Sequence, residues 1–388
     1  MFSAFLYSVR RYWQLCIESL GRSANHGQLT WRGRLIRLLL YLFLIPVFLL
    51  HWLGFLLDEV FFRGYRKIEI NKPVFVLGVP RSGTTFLHRT LAADDQSFTT
   101  VSTWEVFFAP SITQRMFWCA LARIDRAIGR PFGRLLGYLE KRVFKGLEGI
   151  HDVSLQAAEE DYLLLLPLMS CFILFLPFTE SNYIWNLSRL DWDMPEKERQ
   201  RIMNFYTACL QKHLYFHGRN KRFLSKNAAF ASWILSLREH FPDAHFVICL
   251  REPDKAVPSL LGSLESGAQF FELDLHNGRL PDQLVEMMQD CYRHLITNLQ
   301  PEWELVQMHE LQKGINERVS SIYQRFGLTL SGEYRQKLDA LTAEAAHFAT
   351  RTKPIDPGGV QADNFFTARF PWYYELFPKN KLEKSGWS

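Results

Sequence analysis

The chain has 388 residues, 48% of them hydrophobic and 15% aromatic, with a formal net charge of +5. Such a length suits one large catalytic domain with extensions, and the aromatic content points to apolar surface beyond the core, with a membrane or lipid as the first expectation. The modest, unclustered positive charge suits an anionic ligand or membrane surface and excludes nucleic acid as a partner, while six cysteines without CxxC spacing read as reduced thiols.

At the N-terminus, Phe2, Phe5, Leu6, Val9, Trp13 and Ile17 fall on one stripe, which predicts an amphipathic helix. Arg32, Arg34 and Arg37 precede a nearly continuous apolar run from Leu38 to Leu57, about as long as a bilayer crossing requires. Pro46 near its middle, and basic residues at both ends, predict a kinked, monotopic or re-entrant segment. A true span and a buried soluble helix are the alternatives. The run starts too late for a cleaved signal peptide. The expected division is residues 1–67 as this membrane segment, 68–350 as the catalytic domain and 351–388 as a tail packed on that domain.

Pro73 to Gly78 is rich in β-formers and Phe86 to Leu91 begins a helix, so Val79 to Thr85 is a strand-to-helix turn. Such a turn aims backbone N–H groups and a helix start at one point and stabilises an anion there. Gly78 and Gly83 have the spacing of a nucleotide triphosphate loop, but Thr84-Thr85 stands where that loop needs a lysine, and the cation is Arg81, inside the turn. A glycine turn with no ligand is the bland reading.

Arg222 to Ser225 alternates as a strand and delivers Lys226, followed by Asn227. Ala244 to Leu250 is another buried strand, ending in Arg251, with Ser259 eight residues beyond. Together these motifs resemble those of the PAPS-dependent sulfotransferases (PAPS is 3′-phosphoadenosine-5′-phosphosulfate). Their first motif is a Pro-Arg-Ser-Gly-Thr-Thr loop, here Pro80 to Thr85, and their second a strand ending in Arg with a Ser eight residues on. Trp104-Glu105 and Ser225-Lys226-Asn227 fit the branch with a Trp-Glu pair after the loop. The resemblance covers Val74 to Gly327.

It implies an α/β fold of the phosphate-loop NTPase-like sulfotransferase type: a central, mostly parallel sheet flanked by helices, with the N-terminal membrane-associated helical segment attached. It also implies that Arg81, Ser82, Gly83, Thr84 and Thr85 hold the 5′-phosphosulfate, and that Arg251 and Ser259 hold the 3′-phosphate. Arg81 and Lys226 would neutralise the leaving group without a metal ion. Soluble members place a base histidine two residues after the lysine; here that residue is Ala228, so Glu105 is the expected base and His151 the second candidate.

Tyr162 to Phe178 is expected to form a buried or acceptor-lining helix, and Trp303 to His309 a further strand. His213 and His217 are four apart with no neighbouring Glu or Cys to complete a metal set. Near the C-terminus, Arg351 and Lys353 are expected to substitute on the 3′-phosphate for an absent Arg-Lys-Gly triplet, and the aromatic tail is expected to pack, to cap the nucleotide, to dock on the membrane or to join a homodimer. The acceptor would be a hydroxyl on a small molecule, lipid or glycan. Localisation is expected at a membrane with the catalytic domain facing the cytoplasm, or in the Golgi as a type II protein. The competing readings are a phosphate-loop kinase or NTPase and a non-catalytic, membrane-bound nucleotide binder.

Overall fold

A computed structural model describes residues 1–21, 30–144, 154–218, 220–345, 354–355 and 363–378. Strands Val74–Gly78 (β1), Phe98–Thr99 (β2), Arg222–Asn227 (β3), His245–Leu250 (β4) and Glu304–Gln307 (β5) form one sheet in the order β2-β3-β1-β4-β5. Every pairing is parallel. All five residues of β1 are buried, as a central parallel strand covered on both faces requires. With β3 on one side of β1 and β4 on the other, the chain order switches at β1, and a crevice opens at its C-terminal end. The register pairs Val76 with Lys226 and Gly78 with Cys249, so Lys226, Arg251 and the loop after Gly78 share that edge.

Helices Phe2–Gly21 (α1) and Trp31–Phe61 (α2) lead the chain, and Thr84–Ala92 (α3) and Thr103–Phe108 (α4) follow β1 and β2. Ile112–Ala127 (α5) and Pro131–Phe144 (α6) make a hairpin; Asn182–Leu187 (α7), Leu190–Asp193 (α8) and Glu196–His217 (α9) lead to β3. Ile234–His240 (α10) precedes β4, Pro253–Phe270 (α11) and Arg279–Thr297 (α12) link β4 to β5, and Met308–Arg325 (α13) and Gly332–Ala345 (α14) follow. Asp363–Arg369 (α15) and Pro371–Leu376 (α16) complete the described chain.

The first helices differ from the expected separate segment. Phe5 of α1 packs its ring 5.5 Å from that of Trp52, whose indole N–H donates to the Pro167 carbonyl at 3.0 Å. Phe55 lies 5.5 Å from Phe205 of α9, and the same apolar cluster reaches Phe75 and Leu77 of β1. Residues on both sides of position 67 therefore share one core. The assigned helix α2 runs through Pro46 without a break. Asp58 fastens it to α5 and α9: its carboxylate accepts from Ile112 N, Thr113 N and Thr113 Oγ1 at 2.7–3.0 Å and pairs with the fully buried Lys212 at 2.8 Å.

Two further expectations change. The apolar run after Glu160 forms short 3-10 turns, Asp161–Leu168 and Phe172–Phe175, rather than one helix. Pro167 lacks an N–H to continue the ladder, and Met169 turns left-handed at φ 58°. In the tail, Phe370 and Tyr373 stack edge-on against Tyr292 of α12 and are fully buried, so these aromatics complete the core.

Candidate active site

The turn after β1 folds on itself. Ser82 is buried, with its amide and hydroxyl both donating to the Val79 carbonyl, at 3.3 and 2.7 Å. Its hydroxyl thus braces the turn from inside. Gly83, at φ 88°, caps α3 with no side chain, leaving the first N–H groups of that helix for an external acceptor. Thr84 is buried and Thr85 half-buried at this start. Arg81 itself is left-handed at φ 68°, a conformation costly for a residue with a Cβ and characteristic of ligand-clamping turns.

Close approach governs Gly78. A Cβ there would lie 2.2 Å from the Cys249 carbonyl oxygen and 2.8 Å from Ser82 Oγ. Neither atom has room to retreat, so Gly78→Ala should cost about 1–3 kcal/mol through overpacking, read as a lower urea midpoint with unchanged m-value.

The two halves of the predicted donor site touch. Arg81 Nε donates to Ser259 Oγ at 3.0 Å, and Arg251 donates to the Arg81 carbonyl at 3.1 Å. Ser259 lies inside α11 rather than at its cap, and its hydroxyl joins the two motifs. Burial, and then the neighbouring Arg251 guanidinium, lower the Arg81 pKa. Two half-buried guanidiniums held together beside a bare helix start favour binding of a polyanion.

Lys226, 4% exposed, pairs with Glu160. The next residue, Asp161, is fully buried and accepts from the Lys226 amide at 3.0 Å, from Ser225 Oγ and from Tyr206 OH. Burial pushes its carboxyl up to about 6 against those donors. Beside Lys226, burial first and the lysine charge second hold His88 down to about 3, so its ring is neutral and bonds Thr100 Oγ1 at 3.0 Å. Asn227 directs its carbonyl to Ala229 N, while its buried Nδ2 has no protein partner among the described residues.

Glu105 stands in a different network. It is 1% exposed and closes the capping box of α4, accepting from the Ser102 amide at 2.9 Å and hydroxyl at 2.7 Å. Its other oxygen lies 2.5 Å from His217 Nε2 and 3.3 Å from Arg115 Nε. Burial raises its pKa, but Arg115 and His217 outweigh that and hold the carboxyl well below the usual range. Both Glu105 oxygens are therefore engaged by protein donors at the start of α4.

The fold also supplies the carboxylate that the His213/His217 pair lacked in the sequence. Glu105, His213 and His217 each bring one ligand atom within 4.8 Å of the others. Arg115 donates toward His213 Nδ1 at 3.4 Å and sits beside the same Glu105 oxygen, so a guanidinium already occupies the place a cation would take. His151, Arg351 and Lys353 lie outside the described residues.

Sequence reasoning passed over Glu160. The segment bearing it reaches the site through an antiparallel bridge of Ala158 to Ser102, followed by Glu159 N donating to Val101 O at 2.9 Å. The acidic run Glu159 to Asp161 was its only local signal.

A family model described as "Sulfotransferase family" matches residues 73–332, the stretch from β1 to the start of α14. No curated protein sequence matches the chain. Among solved structures, the fold is similar to that of the sulfotransferase STF1 from Mycobacterium tuberculosis H37Rv, at 18% identity and a TM-score of 0.67, over 95% of this chain and 92% of that one. It is also similar to sulfotransferase STF9 from Mycobacterium avium, at 16% identity and a TM-score of 0.70, over 97% and 96% of the two chains. With the family match spanning the loop, Lys226, Arg251 and Ser259 alike, the chain belongs to the sulfotransferase family.

Proposed function

We propose that this sulfotransferase takes the sulfuryl group of PAPS and delivers it to an acceptor hydroxyl, on a lipid or glycan in preference to a soluble small molecule. The observation that carries the donor assignment is the convergence of Arg81 and Arg251 on a loop with an uncapped helix start. The missing lysine after Gly83 disfavours a triphosphate, and a sulfuryl donor makes less demand for a metal because its leaving phosphate develops less charge. In this reading the α3 amides and Arg81 take the 5′-phosphosulfate, and Arg251 and Ser259 the 3′-phosphate.

Transfer breaks the bond from sulfur to the phosphate oxygen as the acceptor oxygen bonds to sulfur in line. Lys226 neutralises the departing phosphate oxygen. Glu160 accepts the acceptor's proton: of the two carboxylates it is the more exposed, at 23% of its side chain against 2% for Glu105, and it adjoins Lys226. A neighbouring acid–base pair of opposite charge suits the two ends of one in-line displacement.

The test is transfer of label from PAPS to a membrane-lipid or glycan extract. No labelled product across broad acceptor pools, with stoichiometric PAPS binding, would favour a non-catalytic nucleotide binder. Magnesium-dependent ATP turnover would favour an NTPase. A finer check uses Arg251→Ala. Loss of a charged hydrogen bond should weaken 3′-phosphoadenosine-5′-phosphate by about 10–100-fold and leave adenosine-5′-phosphosulfate, which lacks the 3′-phosphate, nearly unaffected in calorimetry.

A further inference from the structure

The α5–α6 hairpin is sparsely covered: on α5 only Ile112 and Arg115 are buried, and from Met116 to Tyr138 no residue is. Its apolar side chains nevertheless fall in stripes. Phe117, Leu121, Ile124 and Ile128 recur at helical spacing with 40–60% exposure, and Phe132, Leu135 and Leu136 do so on α6 with 52–69% exposure. Arg126 and Arg134 lie on the opposite sides of their helices. From Ile112 to Phe144 the chain carries seven Lys or Arg residues against only Asp125 and Glu140. Asp125 is engaged in capping α6, accepting from Phe132 N and Gly133 N at 2.9 Å.

The hairpin continues the bare face of α2. Gln114 of α5 donates to the Leu50 carbonyl, and a Cβ on Gly54 would sit 2.4 Å from Ser111 Oγ, so the two helices meet closely here. On α2, Leu39, Leu42, Phe43, Leu50 and Leu53 form one stripe, each more than half exposed. Its other face packs on the core from Arg37 to Asp58, buried at Arg37, Tyr41, Trp52, Phe55 and Asp58 and partly buried at Leu44, Ile45 and Phe48 between. At 1.5 Å per residue that covered length is about 32 Å, as much as the roughly 30 Å hydrocarbon layer. A helix flanked by folded protein along its whole crossing length has no room to span. Placing it across the bilayer would also draw the buried Lys212–Asp58 pair and the sheet's covering helices into lipid.

We infer that α2 and the α5–α6 hairpin form a single in-plane platform that sinks into one leaflet of an anionic membrane. The apolar stripes enter the acyl boundary, and the hairpin arginines meet lipid phosphates. The platform leaves both ends of the chain on the same side, and it does not rest on the identity of the sulfuryl donor.

The full-length protein is tested by co-sedimentation with phosphatidylcholine vesicles, with and without phosphatidylglycerol. Ile124→Glu with Leu135→Glu, at exposed sites that leave the melting curve unchanged, should weaken binding to both vesicles by about 10-fold or more. Replacing Arg126, Arg130 and Arg134 with Gln should cost about 100-fold on the anionic vesicles and little on the neutral ones. Epitope tags at the two termini of membrane-inserted protein should be digested by protease from the same side. Tags on opposite sides would overturn the platform in favour of a span. Unchanged vesicle binding by the Glu variant would also overturn it, and if that variant converts a dimer to a monomer, the hairpin covers a second copy instead.

Discussion

Glu160→Gln is expected to lower kcat by about 10²–10⁴-fold while changing donor affinity only a few-fold, the range that a positioned general base supplies. The amide keeps the shape of the carboxylate and most of its contact with Lys226, but has no site for the acceptor's proton. Because the loss falls on the chemical step, it should persist in single-turnover measurements with saturating PAPS. Glu105→Gln provides the contrast. That residue contacts the Ser102 amide and hydroxyl, His217 and Arg115, so its replacement should lower stability and loosen α4 while the folded fraction keeps kcat within a few-fold. The reverse result, a retained kcat in Glu160→Gln and a collapsed one in folded Glu105→Gln, would return the base to Glu105.

Asp58→Ala should destabilise the fold by about 3–5 kcal/mol, because it leaves Lys212 charged, fully buried and unpaired. The same change removes the acceptor for two amides and a hydroxyl at the start of α5, so that helix loses its anchor on α2 as well. Chemical denaturation in mild detergent gives the magnitude. Asp58→Asn combined with Lys212→Met, which removes both charges and keeps the volume, should recover much of the loss. Recovery no better than with Asp58→Ala alone would show that the α5 capping bonds, rather than the ion pair, carry the effect.

The candidate site was legible in the sequence where its geometry is local. Gly78, Arg81 and Gly83 occupy one turn, Arg251 and Ser259 are separated by little more than two helical turns, and Lys226 ends an alternating strand. Parts built from distant chain were not readable. Glu160 meets Lys226 only because the strand-like stretch at Ser102 pairs with Ala158, and Glu105 joins His217 across 112 residues of chain. The apolar run of α2 and the helical spacing on α5 look the same whether protein or lipid covers the apolar side, so the sequence alone could not distinguish the two. The prolines and hydrophobicity of Tyr162 to Phe178 fitted a broken helix as well as the consecutive 3-10 turns that form.

The position of β1 at the centre of the sheet bears on how the molecule is made. Val74 pairs with Leu224 on one side and with His245 on the other, so the loop after β1 cannot assume its final form until both distant partners have left the ribosome. At ordinary translation rates the roughly 170 residues from Val74 to His245 take about 9–34 s. Throughout that interval α1 and α2 are outside the ribosome with the α9 and 3-10 surfaces they later cover still unsynthesised or unfolded. A bilayer surface encountered then would shelter the apolar helices from aggregation, so early membrane contact would serve the nascent chain as a chaperone as well as the finished enzyme as a support.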